Sequence, residues 1–166
     1  WGRELSKNNE QPYTKYEQAD FIHKSKYKIN TLNSIAINTQ YSTSSNIYRF
    51  DKMNDIKNGV QKYNTWYYGP QIRFLQSINY VSKNKTIAFD NIKFLLALQS
   101  IKESRHVQAI EDELLNNRKE RVNLYDANID LNKKLEKAKI IYGVGVRHQN
   151  VNSTAYLSDG ERTFYN

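Results

Sequence analysis

Between Gln71 and Tyr142 the chain contains neither glycine nor proline, and its apolar positions set the first expectation. Val107, Ile110, Leu114, Asn117, Arg121, Leu124, Asn128, Leu131, Leu135, Ala138 and Tyr142 follow one another at alternating steps of three and four. Such a 3.5-residue repeat keeps one stripe of a helix turned toward a partner, so it predicts a long, laterally packed helix with a coiled-coil seam. The seam is polar at Asn117, Arg121 and Asn128. In a dry interface those groups need one another, a partner's polar group or water, and so they are candidates for fixing register, or else the helix turns them to solvent. Upstream, from Ile87, the residues Phe89, Ile92, Phe94, Leu95, Leu96, Leu98 and Ile101 are apolar nearly all round, which predicts a helix enclosed by others. Unbroken from Ile87 to Tyr142, the segment would be about 80 Å long at about 1.5 Å per residue; a reversal near Asn116 and Asn117 makes it a helical hairpin instead.

The flanks complete that picture. Thr14 and Glu17 stand at capping-box spacing, and Ile22, Ile29, Leu32 and Ala36 then give the stripe of a helix ending near Gln40. The hydroxyl-rich stretch from Tyr41 to Ser45 is a connector, with Asn46 as the next cap. Ile47, Phe50, Met53, Val60, Tyr63 and Tyr67 mark a second helix with Gly59 in its interior, stopped by Gly69-Pro70. Ile72, Leu75 and Ile78 suit a short helix or strand pieces, and Gly143 suits a helix cap. Beyond it, β-favouring residues flank Asp159-Gly160, a hairpin signal. The expected organisation is an extended arm over 1–13, a helical domain over 14–143 and a β-hairpin segment over 144–166. The fold class is mainly α, an elongated bundle or helical hairpin carrying a small C-terminal β-hairpin.

Composition changes the picture in three ways. A 39% hydrophobic content with mean hydropathy −0.82 over 166 residues implies much exposed surface. No stretch of about 18 apolar residues is present to serve as a membrane-spanning helix or signal core, and a first residue of Trp1 points to a processed or longer chain, leaving flanks before it and after Asn166 open. The absence of cysteine removes disulfides, thiol nucleophiles and cysteine metal sites, and leans toward a virion or extracytoplasmic setting. The net charge of +8 resides in the first half: residues 1–85 hold 13 Lys/Arg against 6 Asp/Glu, and 86–166 hold 12 against 11. That bias suits nucleic acid, an anionic membrane surface or an acidic protein.

Motifs for chemistry are missing from the sequence. It contains no phosphate-binding glycine loop, nucleophile elbow, paired-histidine helix or calcium loop, and His23, His106 and His148 are far apart. No cofactor, metal or catalytic residue is therefore expected. The densest local feature is aromatic, with Tyr63, Trp66, Tyr67 and Tyr68 near Lys57, Lys62 and Arg73. Such residues anchor protein interfaces or stack bases while cations meet phosphates. With Asn117, Arg121, Asn128, Tyr156 and Phe164 they are the interface candidates; Lys57, Lys62 and Arg73 are the nucleic-acid candidates. The expected function is a non-enzymatic assembly subunit acting through protein contacts, as a homo- or hetero-oligomer, in a virion, secretion or cell-envelope complex. The alternatives are a nucleic-acid-binding protein and an extracytoplasmic helical sensor.

Overall fold

The computed structural model describes residues 11–159 and 162–165, and it overturns the helical expectation, coiled coil and bundle alike: 71% of the described residues are strand and 3% helix. The strands are β1 (Gln18–Lys28), β2 (Asn33–Ser44), β3 (Ile47–Tyr48), β4 (Ile56–Lys57), β5 (Val60–Gln61), β6 (Tyr63–Tyr68), β7 (Ile72–Ser82), β8 (Asn91–Ala109), β9 (Leu115–Lys134), β10 (Lys139–Ser158) and β11 (Thr163–Tyr165). One helical turn, α1 (Phe50–Met53), is the only helix among the described residues. A single 9-stranded antiparallel sheet runs in the order β1-β2-β7-β8-β9-β10-β11, with β6 joining β3 to the far end of β8.

The reason lies in a period the heptad count passes over. In β9 the run Tyr125-Asp126-Ala127-Asn128-Ile129-Asp130-Leu131-Asn132 alternates apolar and polar residues without a break, the signature of a strand with two unlike faces. The proposed seam residues scatter accordingly. Asn117, Arg121 and Leu131 project from one face of β9, Leu124 and Asn128 from the other, and Leu135 and Ala138 lie in the turn to β10. Absence of glycine and proline is as natural in a strand as in a helix. The reversal expected near Asn116 and Asn117 falls instead over 110–114, between strands of 19 and 20 residues.

The other helices fail for similarly local reasons. Thr14 caps no helix; its hydroxyl donates to the Gln11 carbonyl at 2.9 Å, closing a turn. Lys24, Lys26 and Lys28 alternate with Ser25 and Tyr27 along β1. Asn58 and Gly59 have φ of 53° and 79°, the paired positive values of a tight hairpin turn, and they join β4 to β5. An Asn-Gly pair is a hairpin signal, and reading Gly59 as a helix interior misses it. Gly143 lies within β10, not at a cap. Tyr156–Ser158 of β10 pair with Thr163–Tyr165 of β11; Gly160 and Glu161 between them, and residues 1–10 of the expected arm, lie outside the described residues.

One end of the sheet is closed by the connections 29–32, 83–90 and 135–138. The first is set by Asn30, whose side-chain oxygen accepts from the Leu32 and Asn33 amides at 2.9 and 2.8 Å. The longest is clamped: Asp90 accepts from the Lys134 amide at 2.8 Å and from Lys133 Nζ at 2.9 Å, Lys133 also donates to the Thr86 carbonyl, and the Tyr142 hydroxyl donates to the Ala88 carbonyl at 2.7 Å. The Lys134 amide first and the Lys133 ammonium second hold the Asp90 carboxyl below the usual carboxylate range. At the opposite end the 45–71 insert folds over β8. There Met53 and Trp66, 4% and 8% exposed, are the buried hydrophobic side chains among the described residues; the Trp66 amide meets Met53 Sδ, and the Arg49 guanidinium lies 4.9 Å from the indole centre.

Because the Asp90 pKa is depressed on folding, its contribution is present above the ordinary carboxylate value and is lost as pH falls through the lower folded one. Protection of the Lys134 amide from hydrogen exchange is thus expected to hold steady from about pH 7 to about pH 5 and to fall only below about pH 4. Asp90→Ala should show that loss already at neutral pH; unchanged protection in the variant would remove the clamp from the account.

Candidate functional site

Directly paired residues in an antiparallel ladder share a face, so the register assigns every strand residue to one of two surfaces. One carries the row Ser25, Ile37, Ile78, Leu96, Ala127, Val146 and, beside it, Tyr27, Ile35, Tyr80, Phe94, Ile129, Val144. The other carries Lys24, Asn38, Ser77, Ala97, Asp126, Arg147 and Lys26, Ala36, Asn79, Leu95, Asn128, Gly145. At mid-strand on β7 and β8 the apolar face is the more exposed of the two. In the central strand Ser77 is 9% exposed while its neighbour Ile78 is 41%; Leu96 and Leu98 are similarly open while Ala97 between them is partly covered. A sheet in water ordinarily covers its apolar face, and here no second layer of the described residues covers it.

The apolar surface has an ordered outline. Aliphatic residues fill its middle on β8, β9 and β10; on β2 and β7 Ile37 and Ile78 are joined there by Thr39 and Gln76, hydrogen-bonded at 2.7 Å; and aromatic residues edge it: Tyr27, Tyr80, Phe94 and Tyr142 toward the short connections, Phe21, Tyr41, Phe74 and Tyr125 toward the long extension. The band also slants. Following the register from Asn38 through Ser77, Ala97 and Asp126 leads to Arg147, yet the apolar run on β10, Ile140 to Val146, is centred on Gly143. A drift of about four residues over four strand spacings, at about 3.4 Å and about 4.8 Å each, is an inclination of about 35° between the strands and the normal to the band.

Beyond the band, β8, β9 and β10 continue for roughly 30 Å, at about 3.4 Å per residue, to the 110–114 turn. Here the same face turns polar. Ser100, Asn123 and Asn150 form the first row, Lys102, Arg121 and Asn152 the next, and Ser104, Lys119 and Thr154 the third. Above these, His106 and Asn117 are buried together: His106 Nδ1 lies 2.6 Å from Asn117 Oδ1, His106 Nε2 lies 2.9 Å from Ser104 Oγ, and Asn117 Nδ2 donates to the Leu115 carbonyl and to Ser158 Oγ. Tyr67 stacks on His106 at 4.6 Å and on the other side meets Tyr48 at 5.2 Å; burial pushes the Tyr67 phenol up from its ordinary pKa. Gly69 leaves the room this needs, since a Cβ there would meet Ser104 Oγ and His106.

The polar face is fitted differently. Arg147 Nε donates to Asp126 Oδ1 at 2.6 Å. Gly143 and Gly145 stand opposite Asp130 and Asn128, where a Cβ on Gly145 would meet the Asn128 side-chain oxygen and one on Gly143 the Ile129 carbonyl oxygen.

Of the residues singled out in the sequence, Tyr63, Trp66, Tyr67 and Tyr68 are neighbours on β6, a strand against β8 and not a helix end. Asn117, Arg121 and Asn128 do not face one another: Asn117 belongs to the His106 cluster, Arg121 is exposed on the apolar side, and Asn128 sits beneath Gly145 on the polar side. Tyr156 lies 5.7 Å from Tyr165 and under the Lys119 ammonium, and Phe164 is exposed on β11. Lys57, Lys62 and Arg73 are not brought together: Lys57 is on β4, Lys62 pairs with Asp55 at 3.7 Å, and Arg73 projects from the polar face of β7. Of the residues that make the band, Leu96 was assigned to a helix, Ile78 to a short helix or strand pieces and Val144 to the C-terminal β segment, while Ile37 and Ile129 were not singled out; the period of two that joins them went uncounted. Among the described residues no group of acidic, histidine or cysteine side chains is placed to hold a metal, and no helix is long and apolar enough to cross a membrane. No family model, curated protein or solved structure matches the chain.

The two glycines of β10 give a graded expectation. Gly143→Ala meets main chain, which cannot rotate away, whereas Gly145→Ala meets a side chain that can. Amide exchange along 127–132 is expected to quicken more in Gly143→Ala than in Gly145→Ala, and the opposite ranking would displace Gly143 from its position against Ile129.

Proposed function

We propose that this sheet is an arc of the wall of a membrane-spanning β-barrel, a non-enzymatic element of a cell envelope, with the Leu96 face against lipid chains and the Ser77 face toward a polar interior. One observation carries the reading: over 74–80 of β7 and 94–100 of β8 the exposed side chains are Ile78, Leu96 and Leu98, while Ser77 and Ala97 on the other face are covered. Lipid tails are as apolar as those side chains, so a surface that would be costly in water is at equilibrium there.

Three further features support lipid over a second protein layer as the cover. The band is edged by aromatics on both sides, and five of them, Tyr27, Tyr80, Tyr142, Tyr41 and Tyr125, have the polar tip that membrane interfaces favour. Its slant of about 35° falls at the strand tilt of about 35–45° found in membrane barrels. Finally, the sheet closes with short connections at one end and rises into long strands and an insert at the other, the usual asymmetry of such barrels. β1 and most of β10 carry free outer edges among the described residues, and it is at those edges that the wall would continue. Of the expected settings, this reading selects the envelope.

The chain's lack of cysteine makes the test direct. Single cysteines at Leu96, Ile129 and Val146, and at Ala97, Asn128 and Arg147 on the other face, carry an environment-sensitive probe in phospholipid vesicles. The first set is expected to be quenched by quenchers on the acyl chains and shielded from aqueous ones, the second set the reverse. Equal access of the aqueous quencher to both sets would refute the reading. Leu96→Arg, at mid-band, is expected to reduce stability in the bilayer by about 2–4 kcal/mol, and Ala97→Arg by much less.

A further inference from the structure

On the face assigned to lipid, β1, β2, β7, β8, β9 and β10 carry no carboxylate at all: Asp20, Glu103, Glu120, Asp126 and Asp130 all project from the other side. Cations are not excluded in the same way. Lys102 and Arg121 stand directly opposite one another, and Lys119 is one row beyond, beside Ser104. All three are exposed, and among the described residues none forms an ion pair; Lys119 lies over the Tyr156 ring at 5.1 Å. Like charges in direct cross-strand register are destabilising unless something anionic shares them. On the reverse side the neighbouring rows carry Glu103 opposite Glu120 and Arg105 opposite Arg118, so there a row of carboxylates stands next to the row of cations, which Lys102, Arg121 and Lys119 lack on their own face.

The place of these cations matters as much as their sign. They begin two rows past the last apolar residue of β8, Leu98, and one row past the polar Ser100, Asn123 and Asn150. At about 3.4 Å per residue this is roughly 14 Å along the strand from Leu98 to Lys102, and less along the normal to the band once the slant is taken into account, the depth of a phospholipid headgroup above the chain region. They border an open cleft of about 420 Å³ whose other walls include Ile72, Asn152 and Thr154, with Glu103 and Glu120 also at its lining from positions whose side chains project to the reverse face.

From this geometry we infer that Lys102, Lys119 and Arg121 form a binding site on the outer wall for the phosphate of an anionic membrane lipid, whose acyl chains lie along the band beneath. The inference rests on the proposed membrane reading. The Arg121 fork and the Lys102 ammonium, in direct register, would share one phosphate, Lys119 would reach it from the next row by leaving the Tyr156 ring, and Asn152 and Thr154 add uncharged donors.

The test uses the full chain in vesicles of phosphatidylcholine with phosphatidylglycerol, released into the gas phase with its retained lipids and weighed. Preferential retention of phosphatidylglycerol is expected, with the preference falling about fivefold for each cation removed in Lys102→Gln, Lys119→Gln and Arg121→Gln. Arg105→Gln with Arg118→Gln, on the opposite face, should leave it unchanged, and Lys102→Arg should preserve it. The probe at Ile129→Cys reports insertion of every variant independently. A chain that inserts, as that probe shows, yet retains both lipids equally or loses nothing in the glutamine variants overturns the inference while the membrane reading stands. Failure of the probe to enter pure phosphatidylcholine as well as the mixture overturns both. Equal loss of preference in the Arg105 and Arg118 variants would make the effect one of net charge and sink the site.

Discussion

The ladder between β8 and β9 runs from Asn91↔Asn132 to Val107↔Asn116 without a register shift, and the remainder of the molecule depends on that continuity. A slip of one residue anywhere along it would exchange Leu96 with Ala97 and Ile129 with Asn128, turning the apolar face inside out over every strand beyond. Main-chain hydrogen bonds alone do not prevent such a slip. What fixes the register is the difference between the faces, reinforced where β10 adds its glycines opposite Asp130 and Asn128 and where Arg147 meets Asp126.

Stability is distributed unevenly around this ladder. The long strands have no second layer, and conventional burial is confined to Met53 and Trp66 in the insert. The far end is instead held by polar groups: His106 and Asn117 satisfy each other and reach Ser104, Ser158 and the Leu115 carbonyl. Burying such groups is favourable only when all are paired, and no buried side-chain nitrogen or oxygen among the described residues lacks a partner. The short-connection end uses an ion pair in the same capacity, with Lys133 and Asp90 both largely covered.

How far the sequence discloses this depends on which period is counted. The alternation from Tyr125 to Asn132 and the β-branched, glycine-containing run from Ile140 to Val146 were legible, and so was Asn58-Gly59 as a turn. A heptad, whose steps of three and four change parity, samples both faces of a strand and so finds apolar residues at some of its positions by chance. Leu95 and Ile101, which made β8 look apolar all round, are polar-face residues flanked by Lys93, Gln99 and Glu103. The neighbourhoods of His106 with Asn117 and of Lys102 with Arg121 carried no local signal, because cross-strand partners are related by register and not by spacing. Tyr63, Trp66, Tyr67 and Tyr68 were recognisable as a cluster, while the fact that they cap β8 required the fold.

The order of strands in the sheet is nearly the order of strands in the chain; only the insert at 45–71 interrupts it. Each long strand therefore meets the one before it through a nearby reversal, so pairing can advance hairpin by hairpin with little chain entropy lost at each closure. The three longest strands, β8, β9 and β10, are also the most locally connected, joined by reversals over 110–114 and 135–138, so the largest block of ladder in the molecule is closed at the least cost in chain entropy.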